Sequence, residues 1–423
     1  MTITLARPSV GSALSSAKNI YVSACAAELA DAPELLKRHS PSSAIATGIF
    51  SPIINHRSYA DPETGRRVRS FFLTRELKKH LTLGLVEYCP WRYRNIDRWL
   101  SSAGRFDTAM VMLSPPDANG ECSLGVQTDF LPSFAGRIEN LLGFINPRMP
   151  RTTGDASISY RALASVVDYD VALPTMAQRP ADDVSAAIAE QIAAIVPDRA
   201  TVQFGLGQIP SQVIARLSGH HEIRVHSGVV DDNILILEES GALDRSVPIV
   251  TGTAVGTASF YDALSKNDRF SFRAVRHTHS HRVISSIKHF TAINSVLQVD
   301  LFGQSSAEGS GGKLVASPGG LPDFARGALD SDGGTSIIAV RAVSQPGHSP
   351  GIVASLDMPH AVTGTAGDAD VIVTEYGVAR VRNLSMDARA EAIIAIADPK
   401  DRAALTEAWA SMRGGLIGGR ARP

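Results

Sequence analysis

At 423 residues with 44% apolar side chains, the chain exceeds the usual size of one hydrophobic core and points to two domains. Its 41 Lys and Arg balance 42 Asp and Glu, leaving a formal net charge of −1, so no global field draws it to nucleic acid or an acidic membrane and a small-molecule partner is favoured. Cys25, Cys89 and Cys122 are too few and too scattered for a disulfide framework or a Cys-pair metal site, which fits a reducing cytoplasm, and no apolar run approaches the roughly 20 residues that cross a bilayer.

Asn19 to Ala26 reads as a first strand and Ala32 to His39 as the start of a helix. This order recurs through the first half and identifies the class as α/β. Phe106 to Leu113 is a second short apolar strand, closed by a Pro- and Gly-rich turn from Ser114 to Gly125. Val184, Ile188, Ile192 and Val196 recur about one turn apart, which predicts an amphipathic helix over 182–196. The linker-like stretch 176–183 before it divides the chain into domains 1–180 and 181–423.

Thr201 to Phe204 reads as a strand, Gly205-Leu206-Gly207 as a turn, and Pro210 to Leu217 as a helix. Such a unit aims free N–H groups and the positive end of a helix dipole at an anion or a carbonyl oxygen. The spacing is not the G-x-G-x-x-G of a dinucleotide site, and a tight turn packing a helix on a sheet accounts for it equally well. Ile293 to Leu301 reads as a strand buried on both faces of a parallel sheet. It runs into a loop containing Gly303, Gly309, Gly311, Gly312, Gly319 and Gly320, where missing side chains let main-chain N–H groups approach a ligand.

Ser114 to Gly125 (SPPDANGECSLG), Asn146 to Gly154 (NPRMPRTTG), Gly319 to Phe324 (GGLPDF), Gly333 to Ala339 and Asp370 to Ala379 (DVIVTEYGVA) resemble signatures of the acetyl-CoA hydrolase/transferase family. These are class I CoA-transferases, including 4-hydroxybutyrate and succinyl-CoA:acetate CoA-transferases, and the resemblance runs from about residue 20 to 412. It implies two α/β domains of mainly parallel sheets covered by helices, with the active site between them. It implies coenzyme A as the substrate thioester, with an acyl-CoA and a carboxylate acceptor as partners; no metal is expected because no Cys or acid completes a ligand set near the clustered histidines, and the balanced charge speaks against nucleic acid and membrane. A homo-oligomer, in the simplest case a homodimer, is expected. By the same resemblance Gly205, Gly207, Gln208, Ile209 and Pro210 belong to the CoA and acyl pocket, joined by Gly319, Gly320, Asp323 and Phe324. The Gly320 N–H is one oxyanion donor, and the loop from Thr251 to Thr257, represented by Thr253, supplies the other.

In that family a Glu carboxylate attacks the thioester, giving a mixed anhydride and then a glutamyl-CoA thioester that a second carboxylate resolves. The matching segment, of the form R-P-x-(E/D)-x-(S/T)-N, reads here Arg273-Ala274-Val275-Arg276-His277-Thr278-His279, and a second acidic position is Gly228. A guanidinium is no nucleophile at neutral pH, and no acid lies between Asp268 and Asp300. Glu308, Asp323, Glu375 and the pair Asp231-Asp232 are acids in candidate loops, where each also suits a helix cap or an acceptor of loop N–H bonds. His277, His279 and His281, with His289, gather acid/base groups, and the first three share one face if the segment is extended. His277 is then the candidate to activate water or take a proton, and a solvated basic loop is the plainer account of the same residues. Arg276 suits a second carboxylate on the acyl group; pairing with a surface acid is its alternative. The expected protein is a CoA-transferase or acyl-CoA hydrolase acting on a small acyl-CoA, a dicarboxylic one if Arg276 holds a carboxylate of the acyl group. The alternative is a non-catalytic CoA-ester binder or degenerate partner subunit, against which the retained glycine loops weigh.

Overall fold

The computed structural model describes residues 7–102, 106–177, 180–310, 313–343, 349–356 and 362–417. Packing divides the chain into unit 1, Met1–Gln178 with His226–Asp232 and Ser246–His279, and unit 2, Arg179–Val225 with Asn233–Arg245 and Ser280–Pro423. Two later stretches of chain therefore pack with the first unit.

Unit 1 is built on a seven-stranded parallel sheet: β1 (Asn19–Val22), β2 (Ile45–Gly48), β3 (Val68–Ser70), β4 (Val86–Tyr88), β5 (Thr108–Leu113), β6 (Asn140–Ile145) and β7 (Ser165–Asp168). The order is β7-β6-β5-β1-β2-β3-β4. All six residues of β5 are buried, the unalternating pattern a strand covered on both faces requires. The first strand stops at Val22, short of Ala26, because the chain turns into a 3-10 segment, Cys25–Ala27, with Cys25 at φ 51.

Two of the signature motifs clamp one another within this unit. Arg151 donates to the carbonyls of Pro115 at 2.7 Å and Glu121 at 2.8 Å, and pairs with Asp117 at 3.3 Å. Gly154 ends the second motif in a strand beside Ser271 and Phe272, where a Cβ would lie 2.2 Å from the Phe272 carbonyl oxygen. Only glycine fits there. These motifs are legible in sequence because the fold needs them.

The unit 2 sheet has six strands: β8 (Thr201–Phe204), β9 (Arg224–Val225), β10 (Phe290–Ser295), β11 (Thr335–Ala339), β12 (Val371–Thr374) and β13 (Gly377–Arg380). They lie in the order β9-β8-β10-β11-β12-β13, parallel except for the final hairpin. The stretch from Ile293 to Leu301 is not one strand. β10 ends at Ser295, the Leu297 N–H is donated to Ser306, and Gln298–Asp300 joins a separate small sheet with Ser305–Ser306 and Ile352–Val353. Val296 still donates to Ala339 of β11 and Leu297 does not, so the strand breaks just after Val296. The predicted helices appear at Asp183–Ala193 and Gln208–Arg216.

Candidate functional site

In unit 2 the strand order reverses between β8 and β10, and a crevice opens outside their carboxyl ends, as doubly wound sheets require. It is a cleft of about 610 Å³ lined by residues 206–210 after β8, residues 295–297 at the end of β10, Lys313 and Arg341. Gly207, at φ 130, turns the chain and caps the Gln208–Arg216 helix. The backbone N–H groups of Gly207, Gln208 and Ile209 have no partner among the described residues, and Pro210 in the first turn has none to lose. Arg341 is held by Asp182 at 2.7 Å, by Ser185 and by Gln208 at 3.3 Å. The hydrogen bond from Arg341, more than any other partner, lowers the Asp182 carboxyl to about 2. Lys313 is exposed and unpaired among the described residues. A helix N-terminus flanked by two cations is built to receive phosphate or another anion.

Of the predicted cofactor-binding residues, Gly207, Gln208, Ile209 and Pro210 line this cleft, and a Cβ on Gly205 would meet open space. Gly319, Gly320, Asp323 and Phe324 are not part of its lining. Gly319, at φ 60, turns the chain into Gly320, which caps the Leu321–Leu329 helix. The Gly320 N–H has no partner among the described residues, whereas Asp323 is buried and Phe324 stacks on Phe290 at 6.3 Å in the core. Gly311 and Gly312 lie outside the described residues.

Thr253, Arg276 and His277 belong to unit 1. The Thr253 N–H is donated to the Gly228 carbonyl at 3.1 Å, and the N–H groups of Gly252, Ala254 and Val255 also have carbonyl partners. The polar group left to Thr253 is therefore its hydroxyl, which acts on the Asp129 carboxylate to lower its pKa. Arg276 is exposed, with no ion pair among the described residues.

The histidines do not share an extended face. Val275–Thr278 is a helical turn, with the Val275 N–H donated to the Asp129 carbonyl. His277 is half-buried with its ring 5.6 Å from that of His226; His279 is buried and stacks on Tyr93 at 4.6 Å. His281 falls in unit 2 and pairs with Asp330 at 2.8 Å. Among the described residues no group of three or more His, Cys, Asp or Glu is placed to hold a metal.

Burial lowers His277, and pushes His226 down to about 4 and His279 to about 3. Both of the latter protonate near 6.5 when unfolded, so the unfolded state binds more protons and stability falls as pH drops from about 6.5 towards 4. Tm is expected to fall over that window, less steeply in His279→Phe, which keeps the stack on Tyr93. Thermal unfolding between pH 7 and 4.5 measures this, and identical slopes would show that His279 is not responsible.

The acids singled out in the sequence have structural partners: Glu308 accepts from Thr363, Glu375 from the Ala342 N–H, and Asp232 from Thr257. Asp231 and Asp323 are buried. The acid that sequence reasoning passed over is Asp129. It is 3% exposed, at φ 32, and burial raises its carboxyl to about 6 against hydrogen bonds from Thr253 and Gln127. Its sole sequence signal is an acid among the neutral residues after the SLG turn.

Residues 15–177 match the acetyl-CoA hydrolase/transferase N-terminal domain, and residues 256–409 match the C-terminal domain of the same name. The chain is 34% identical over 305 residues to the 4-hydroxybutyrate coenzyme A transferase of Clostridium kluyveri, covering 71% of each. The chain belongs to the acetyl-CoA hydrolase/transferase family. Another member, the succinyl-CoA:acetate/propanoyl-CoA:succinate CoA transferase of Fasciola hepatica, is 32% identical over 83% of this chain and 75% of its own. The crystal structure of RipA from Yersinia pestis superposes with a TM-score of 0.87 at 28% identity, over 96% of this chain and 97% of that one. As an acetyl-CoA hydrolase/transferase the protein is an enzyme of CoA thioester chemistry.

Proposed function

We propose that the enzyme hydrolyses or otherwise processes a small acyl-CoA carrying a second carboxylate, without a glutamyl-CoA intermediate. The observation that carries this reading is the pair Arg276 and Gly228 at the family's acidic positions, with no acid between Asp268 and Asp300 on either side of Arg276. Arg276 is an exposed guanidinium with no ion pair among the described residues, suited to bidentate contact with a carboxylate. The cleft beside Gly207, with Lys313 and Arg341, suits the phosphates of coenzyme A. Gly320 provides an oxyanion donor and His277 an acid/base group. A cytoplasmic setting agrees with three free cysteines and with the absence, among the described residues, of a helix long and apolar enough to cross a membrane. A homodimer is the assembly we propose.

The test is incubation with dicarboxylic acyl-CoAs and their uncharged analogues, with and without acetate, scoring free thiol against CoA exchange by mass spectrometry. Thiol release independent of acetate is expected. A covalent glutamyl-CoA adduct trapped by borohydride at any Glu would restore the transferase mechanism. In the same panel Arg276→Ala should lose activity on the charged substrate alone, by roughly tenfold or more for a charge-assisted pair. Equal losses on both substrates would remove Arg276 from acyl recognition.

A further inference from the structure

We propose that Asp129 is the carboxylate this enzyme uses as its acid/base group, in place of those missing at Gly228 and Arg276; this rests on the hydrolytic reading above. The packing of unit 1 gathers the altered segments around it. The Asp129 N–H is donated to the Gly252 carbonyl at 3.2 Å, and the Asp129 carbonyl accepts the N–H of Val275, one residue before Arg276, at 2.8 Å. The Gly228 carbonyl accepts from both Gly252 and Thr253. A Cβ on Gly252 would lie 2.7 Å from Asp129 Oδ1 and 3.1 Å from the Gly228 oxygen, so a side chain there would collide with the carboxylate.

The side chain is unusually placed for a structural acid. Oδ2 accepts from Gln127 at 3.2 Å, but Oδ1 is buried with no hydrogen-bond partner among the described residues. A buried acceptor left unpaired costs free energy, and functional groups are where that cost is tolerated. The titratable groups facing it, Tyr21 on β1, Cys25 after β1 and Tyr93 on the Tyr93–Ser102 helix, are all raised mainly by burial and further by Asp129. None of them is a cation. The nearby Arg273 is engaged with Asp155 at 3.1 Å, and His279 stacks beyond Tyr93. Asp129 is thus a carboxylate that holds its proton unusually tightly yet titrates near neutrality, as a base for water requires. In the step, Asp129 takes a proton from water as the water oxygen bonds to the thioester carbon. The C–S bond then breaks, and the departing CoA sulfur receives that proton, giving a carboxylic acid and free thiol.

Asp129→Asn tests this. Asn tolerates the positive φ and keeps an acceptor for Gln127. Hydrolytic kcat/KM should fall at least about a hundredfold, and the acid limb of its pH profile, near 6 in the wild type, should vanish. A merely structural Asp would leave the acid limb in place; the raised pKa has its own, separate signature in stability. The folded pKa is raised above the unfolded value, so the Asp129 contribution to stability falls as pH rises from about 4 to about 6, against the opposite trend from His226 and His279, and the Asn variant escapes that one loss. Its Tm advantage should therefore grow over that window and then level. In wild-type protein, carbon-13 NMR of labelled Asp carboxyls should show one titrating well above the usual range; none doing so overturns the assignment without any variant. A near-native rate with the acid limb intact in Asp129→Asn overturns the assignment alone. A wild type inactive on every acyl-CoA overturns both it and the hydrolytic reading.

Discussion

Gly320→Val is expected to lower turnover by roughly a hundredfold or more, the usual cost of one oxyanion donor, while Tm moves by no more than a few degrees. The backbone at Gly320, φ −91 and ψ −5, is one that any L residue adopts, so the substitution carries no conformational penalty of the kind a positive φ imposes. The helix it caps is anchored elsewhere, through the buried Leu321, Phe324, Ala325 and Ala328, and Phe324 remains stacked on Phe290. What valine changes is access to an N–H that has no partner among the described residues. Gly320→Ala should be milder, since one methyl shields the N–H less than an isopropyl group. Thiol release with a parallel melting curve separates the effects; near-native turnover in the valine variant would place Gly320 away from the acyl group.

Arg341→Ala is expected to raise KM for acyl-CoA by roughly 10- to 100-fold, the range of hydrogen bonds to charged groups, with a smaller change in kcat. The guanidinium contributes a positive charge to the cleft and also neutralises Asp182, whose carboxyl it helps hold near 2. Its removal leaves Asp182 ionised, with its remaining hydrogen bonds from the Ser185 N–H at 2.8 Å and the Ser185 hydroxyl at 3.0 Å. The cleft then loses one cation and exposes one anion. Lys313→Ala, which loses a cation alone, should cost less. Salt distinguishes this from a packing defect: raised ionic strength should weaken wild-type binding more than that of the variant. An unchanged KM at low salt would exclude the cleft as the site of coenzyme A phosphates.

Local order was largely legible. The helix at Ala32–His39 has Pro in its first turn with Glu34, and Lys37, Arg38 and His39 in its last turn, so both ends agree with the dipole. The strand–glycine–helix unit at Thr201 to Arg216 was visible because its φ at Gly207 is one that only glycine adopts readily. The clamp between Asp117 and Arg151 surfaced as two motifs for the same reason: close backbone approach leaves few residue choices. The break after Val296 was hidden, since apolar residues fill both the large sheet and the small one. The helical turn at Val275–Thr278 was hidden too, because a four-residue segment has no periodicity to read.

The sequence by itself determined the α/β class, the glycine turns, the family and the missing acids at Gly228 and Arg276, all of which depend on residue type at short spacing. Tertiary structure alone decided that Asp129 stands among segments from residues 228, 252 and 275, that His279 is a neutral stacking partner of Tyr93, and that Thr253 offers its hydroxyl in place of its N–H. The reason is physical. The protonation and hydrogen bonding of a side chain depend on what is packed around it, and here those neighbours come from stretches of chain about a hundred residues or more apart.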